Sequence, residues 1–134
     1  MNTRKIKWGI VGCGNIADKF AKDMALIESA ELTAVASRNI NKATEFGRNH
    51  AAKKAYGSYE ELFKDLEIDI VYIATPHVSH AELSISAMEY GKHVLCEKPL
   101  GLNANEVRRM IETSKRTNHF FMEALWTRFN PVFV

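Results

Sequence analysis

Gly9-Ile10-Val11-Gly12-Cys13-Gly14-Asn15-Ile16-Ala17 is the stretch on which the reading of this chain turns. From Gly12 to Ala17 it spells G-x-G-x-x-A, after the apolar run Ile6–Val11 and before a segment carrying Ile16, Phe20 and Met24 on one helical face. In a strand–turn–helix unit Gly12 permits the tight turn, Gly14 lets main chain approach a pyrophosphate, and Ala17 lets helix and strand pack closely. The anion then faces the first turn of the helix, at Asn15 and Ile16, where free N–H groups and the dipole favour negative charge. A glycine turn that merely joins two elements has the same small residues. Context separates the two readings: here the strand is the first of the chain and the helix follows at once, as a dinucleotide site requires.

Outward from this loop, short β-branched runs alternate with amphipathic segments, the pattern of parallel βαβ units. Strands are expected at Ile6–Val11, Leu32–Ser37, Ile70–Ala74, His93–Cys96 and His119–Met122, with a weaker one near Ala55. Their apolar residues run on without alternation, as in strands covered on both faces. Ser58, Ser79 and Asn103 each stand three residues before a glutamate (Glu61, Glu82, Glu106), the spacing of a capping box, and mark three helix starts. In the last of these helices Val107, Met110, Ile111 and Ser114 share a face directed at the sheet. Right-handed crossovers make a doubly wound parallel sheet, the α/β Rossmann fold, the simplest topology. Residues 1–125 are read as one dinucleotide-binding domain and 126–134 as the start of a connection onward.

Composition excludes several classes. The 134 residues are 46% hydrophobic and 25% charged, an ordinary globular make-up, with a net charge of +2. Lys and Arg are interspersed with acids, so there is no nucleic-acid footprint. No apolar run approaches the roughly 20 residues that span a bilayer, and no cleavage site follows the basic start, which points to the cytoplasm. Cys13 and Cys96 read as free thiols of a reducing compartment, which argues against their forming a redox pair.

The second strand ends in Ser37-Arg38, where an NAD site usually places a carboxylate for the ribose 2′-hydroxyl. A 2′-phosphate suits this pair better. The guanidinium brings charge and a flat face for adenine, and the serine hydroxyl can donate to phosphate oxygen. The cofactor is therefore read as NADP rather than NAD; a merely solvated Arg38 would sit unfavourably beside a helix N-terminus. After the fourth strand, Thr75-Pro76 turns the chain out of the sheet, because Pro76 cannot continue a central strand. Thr75 and Pro76 then border the crevice, and His80, in the first helical position, meets the cofactor or caps local backbone. His77 and His80 lack the further ligands of a metal site, so no metal is expected. His50, His93 and His119 read as structural or solvated. Glu97-Lys98-Pro99 follows the fifth strand and puts an amine at the sheet edge where ligands of such folds bind.

Gly12-Cys13-Gly14-Asn15-Ile16-Ala17, Ala36-Ser37-Arg38, Thr75-Pro76 with His80, Glu97-Lys98-Pro99-Leu100-Gly101 and Met122-Glu123-Ala124-Leu125-Trp126-Thr127-Arg128-Phe129 together resemble the nucleotide-binding half of the glucose–fructose oxidoreductase and inositol dehydrogenase family. The last run most resembles its branch of dimeric dihydrodiol and D-xylose:NADP dehydrogenases. The resemblance implies hydride transfer between nicotinamide and a secondary alcohol of a sugar, polyol or cyclic diol. It makes Lys98 catalytic, its ammonium stabilising the oxygen anion that develops as hydride moves. It puts Glu97 near the nicotinamide ribose, and Trp126 and Arg128 beside cofactor and substrate. Glu97 and Lys98, adjacent on a strand, point to opposite sides and are not one acid–base couple. Family members run to roughly twice this length, into a domain that supplies the substrate pocket, the proton-transfer group and usually the interface of a homo-oligomer. The chain is accordingly expected to be an N-terminal piece, natural or engineered, that binds NADP and turns substrate over poorly or not at all. Two other readings remain open: a module that holds NADP without chemistry, and an S-adenosylmethionine-dependent transferase, whose ligand leaves Ser37 and Arg38 unexplained.

Overall fold

A computed structural model describes residues 4–124. The strands are β1 (Ile6–Val11), β2 (Ala30–Ala36), β3 (Lys54–Tyr56), β4 (Ile70–Ile73), β5 (His93–Glu97) and β6 (Phe121–Ala124). Between them lie α1 (Asn15–Met24), α2 (Ile40–Asn49), α3 (Tyr59–Phe63), α4 (His80–Glu89) and α5 (Ala104–Thr117), with a 3-10 turn at His77–Ser79 before α4. The strands form one sheet in the order β3-β2-β1-β4-β5-β6, all neighbours parallel. This is the doubly wound Rossmann arrangement. The order in which strands are added reverses between β1 and β4, and that switch point opens a crevice at the carboxyl ends of the strands.

Two apolar layers hold it. Ile10, Val35 and Tyr72 meet Ala17 and Ala21 of α1 and Phe46 of α2 on one face. Val11, Val71, Ile73 and Val94 meet Leu62, Phe63, Ala87, Met88 and Met110 on the other. Consecutive strand residues thus serve opposite layers, which explains the unbroken apolar runs: β1, β2 and β4 each end in three or more buried residues. A fully buried Leu, Ile or Phe contributes about 1.5–3 kcal/mol relative to exposure, so either layer outweighs any single ion pair on the surface.

Most elements lie where the sequence puts them; β2 begins two residues earlier than expected, at Ala30, and three further departures have causes visible in the structure. Ser58 and Asn103 accept hydrogen bonds from Glu61 N and Glu106 N as capping residues should. Ser79 does not cap: its backbone is already helical (φ −96°, ψ −5°), and its hydroxyl meets Thr75 Oγ1 and Pro76 O instead. The preceding 3-10 turn removes the extended backbone that an N-cap needs. The last strand starts two residues later than expected. After α5, Asn118 is left-handed (φ 56°), and His119 is tied back to Ser114 through both its N–H and its carbonyl, so pairing begins at Phe121. The buried face of α5 centres on Met110 and Thr113, with Val107 and Ser114 beside it, and leaves Ile111 42% exposed.

Candidate functional site

The registers Val11↔Ala36 and Val11↔Ile73 align the carboxyl ends of β1, β2 and β4 at one edge. The loops leaving those three ends wall a cleft of 780 Å³. Its lining holds Gly12, Gly14, Asn15 and Ile16 from the first loop, Ser37 and Arg38 from the second, and Thr75 and Pro76 from the fourth, so the structure brings together eight residues singled out in the sequence. The lining also includes Cys13, Asn39, Lys42, Tyr59 and His77.

Gly12 is fixed by the fold itself. Its φ is +98°, and a Cβ there would stand 2.9 Å from the Ala74 carbonyl oxygen, so a side chain is excluded by both conformation and space. Gly14 differs. Its backbone is extended, and an added Cβ would meet no protein atom within 4 Å. Nothing in the described protein demands a glycine at this position, which faces the cleft. Gly14 is also the N-cap of α1 and offers no side-chain cap, in contrast with Asn39, Ser58 and Asn103 on α2, α3 and α5. The first turn of α1 keeps its orphan N–H groups for whatever occupies the cleft.

On the second loop, Ser37 Oγ accepts from Asn39 N at 3.2 Å, which leaves the hydroxyl proton for another acceptor. Asn39 caps α2 through Asn41 N and Lys42 N. Arg38 is exposed, and neither it nor Lys42 pairs with a carboxylate among the described residues. Two free cations and a hydroxyl donor therefore surround the end of β2. Burial pushes the Cys13 thiol up to about 11 despite the pull of Lys42, which disfavours its thiolate. Burial likewise pushes Cys96 up to about 12, and both cysteines are free.

His80 does the second of the two things expected of it. Its ring is fully buried, Nδ1 lying 2.7 Å from Pro99 O and Nε2 2.9 Å from Thr75 O. It binds main chain rather than facing the cleft. Thr75 is itself buried, with Oγ1 2.7 Å from Ser79 Oγ. Lys98 is exposed beyond the end of β5 and is not part of the cleft wall. Glu97 closes β5 and is half-buried, accepting a 2.5 Å hydrogen bond from Tyr72 OH. Trp126 and Arg128 lie outside the described residues. No group of three or more potential metal ligands occurs among the described residues, and no helix among them is long and apolar enough to cross a membrane.

Sequence reasoning missed Lys42 and Tyr59. Lys42 had a signal: it is the third residue of α2, where a cation opposes the helix dipole unless an anion shares the site. Tyr59 had none, because it enters the cleft from α3 through the tertiary fold.

Comparison with known proteins gives this site a family. The profile of Gfo/Idh/MocA, an oxidoreductase family with an NAD-binding Rossmann fold, matches residues 6–125. The chain belongs to that family. Among curated Gfo/Idh/MocA relatives, it is 42% identical over 129 residues to trans-1,2-dihydrobenzene-1,2-diol dehydrogenase of Xenopus tropicalis, covering 95% of this chain and 39% of that protein. It is 45% identical over 128 residues to the enzyme of the same name from Sus scrofa, covering 94% of this chain and 38% of the relative. The chain thus spans about two-fifths of the length of these relatives. Among solved structures, KijD10, a 3-ketoreductase from Actinomadura kijaniata in complex with TDP-benzene and NADP, superposes with a TM-score of 0.92 at 29% identity, over 96% of this chain and 41% of that one. A probable dehydrogenase from Thermotoga maritima gives 0.88 at 32% identity, over 94% and 38% of the two chains.

Proposed function

We propose that this chain is the NADP-binding part of a cytosolic, dimeric oxidoreductase acting on a secondary alcohol or carbonyl of a sugar, polyol or cyclic diol. One observation carries the cofactor choice: the end of β2 presents Ser37, Arg38 and Lys42 to the cleft, with no carboxylate among the cleft-lining residues. A ribose 2′-hydroxyl calls for an acceptor at that place, whereas a 2′-phosphate calls for donors and positive charge. Gly14 fits the same ligand, since its missing side chain leaves space on the ligand's side alone. The names of the dehydrogenase relatives, and the NADP bound by KijD10, support the reading.

When bound, the nicotinamide supplies the hydride acceptor or donor. The chain's own part is to hold and polarise. The first turn of α1 takes the pyrophosphate, and Ser37, Arg38 and Lys42 take the 2′-phosphate. Lys98 is assigned the ammonium that stabilises negative charge on the reacting oxygen, and Trp126 and Arg128 are assigned to the border between cofactor and substrate. A second reading, NADP held without chemistry, draws on the exposed position of Lys98 outside the cleft wall.

Thermal-shift titration tests the cofactor, because a ligand bound only by the native state raises stability by mass action. NADP is expected to raise the midpoint more than NAD or S-adenosylmethionine at equal concentration; a larger shift with NAD overturns the assignment at Ser37-Arg38. Lys98→Met in the full-length protein then separates the two readings. For the enzyme, NADP affinity stays and turnover falls by at least about a hundredfold; full-length protein without turnover on any sugar, polyol or diol favours the binding module.

A further inference from the structure

We propose that Tyr72 is a positioning residue, which holds the Glu97 carboxylate in place for a hydroxyl of the cofactor's nicotinamide ribose. The proposal rests on the cofactor reading above, with Glu97 near that ribose as the family resemblance implies.

Tyr72 lies inside β4 with no exposed surface, yet its hydroxyl is not idle. Strand register sets Tyr72 opposite Leu95, and two residues further along β5 the side chain of Glu97 falls on the same face of the sheet. There the phenol donates to Glu97 Oε2. Among the described residues the other oxygen, Oε1, has no hydrogen bond, and Glu97 is only half-buried. The carboxylate is thus gripped on one side and open on the other, at the same carboxyl edge of the sheet as the cleft though not among the residues that line it.

The grip is rigid. The Tyr72 ring stacks on Phe20 of α1, centroids 3.8 Å apart and planes 17° from parallel, and Phe20 in turn touches Trp8 of β1. Burial, and then the neighbouring carboxylate, push the phenol far above its ordinary range, so it stays a donor at every physiological pH. Through Phe20 and Tyr72, Glu97 is aligned with α1, the helix whose first turn bounds the cleft. Two distant parts of the site share one reference body. A Tyr placed here for packing alone needs no hydroxyl, and a buried hydroxyl costs free energy unless it is bonded.

The experiment is direct binding to the full chain, by fluorescence for NADPH and by calorimetry for adenosine 2′,5′-bisphosphate, which lacks the nicotinamide ribose. Tyr72→Phe keeps the stacked ring and removes the hydroxyl. It is expected to weaken NADPH about tenfold, the loss of one hydrogen bond to a charged group, and to leave the bisphosphate unchanged. In a Glu97→Ala background the same substitution is expected to change NADPH affinity less than about twofold. Equal weakening of both ligands, or no weakening of either, overturns the proposal. Should Tyr72→Phe fail to fold, Glu97→Ala alone has to lower NADPH affinity with the bisphosphate untouched, and failure to do so overturns it as well. A wild-type chain that binds neither ligand overturns the cofactor reading itself, and this inference with it.

Discussion

At the amino-terminal edge of the sheet, several cations are answered by the protein, although Lys5 is exposed there without a carboxylate partner among the described residues. Lys54 lies 2.9 Å from Asp65, Arg4 2.9 Å from Asp69, and the buried Lys92 donates to Asp65 O and Ile68 O at 2.7 and 2.9 Å. At the carboxyl edge, Arg38, Lys42 and Lys98 pair with no carboxylate among the described residues. The first edge spends its charge on closing loops against strand ends. The second leaves it without a carboxylate partner among the described residues. Charge alone therefore does not mark a site; charge without an internal partner, at the ligand-binding edge of the fold, does.

Replacing cations at each edge should expose that contrast. Arg38→Ala together with Lys42→Ala is expected to weaken NADPH about a hundredfold, near 3 kcal/mol, with NADH affinity and thermal stability almost unchanged, as titration of both cofactors would measure. Equal losses for the two cofactors would place these cations elsewhere than at the 2′-phosphate. Lys92→Met should do the reverse. It strands two carbonyls and is expected to cost about 2 kcal/mol in urea unfolding while leaving NADPH affinity intact.

The smallest effect concerns pH. Burial, and then the neighbouring His119, lower the pKa of His93 from 6.5, so the folded chain favours the neutral ring. The stability that comes from this is present above the unfolded value and lost as pH falls through it toward the folded one. For Asp65 and Asp69 burial pushes upward, but Lys54, Arg4 and nearby N–H groups outweigh it and hold both below 3.8. Their contribution is present above the unfolded value and is lost only as pH falls through the lowered ones. Stability to urea is thus expected to fall slightly between about pH 7 and 5, a step that His93→Gln removes, and again below about pH 4, where His93→Gln changes nothing.

What the sequence made legible follows from which interactions are local. Gly12, the turn at Pro76 and the caps at Ser58 and Asn103 are decided within a few residues, and each is found as read. The Ser79 spacing misleads because a 3-10 turn has already curled the backbone, which no pairwise spacing reports. The displaced start of β6 and the exposed Ile111 reflect how α5 ends and how it rolls on the sheet, both set by packing. Tyr72 and Glu97 stand 25 residues apart and meet only through the register of β4 on β5. Lys42 was within reach: in the first turn of a helix a cation opposes the dipole, which a bound anion would offset.

The buried ring of His80 joins Thr75 O to Pro99 O, and so links the loop after β4 to the loop after β5. Both partners are acceptors, so a ring with a single N–H donates to one carbonyl and packs its other nitrogen against the second. For protein engineering this defines the smallest transplantable piece. A β4 loop grafted from a relative to change cofactor or substrate preference has to bring its histidine and the matching β5 loop along, or the new segment arrives without its anchor.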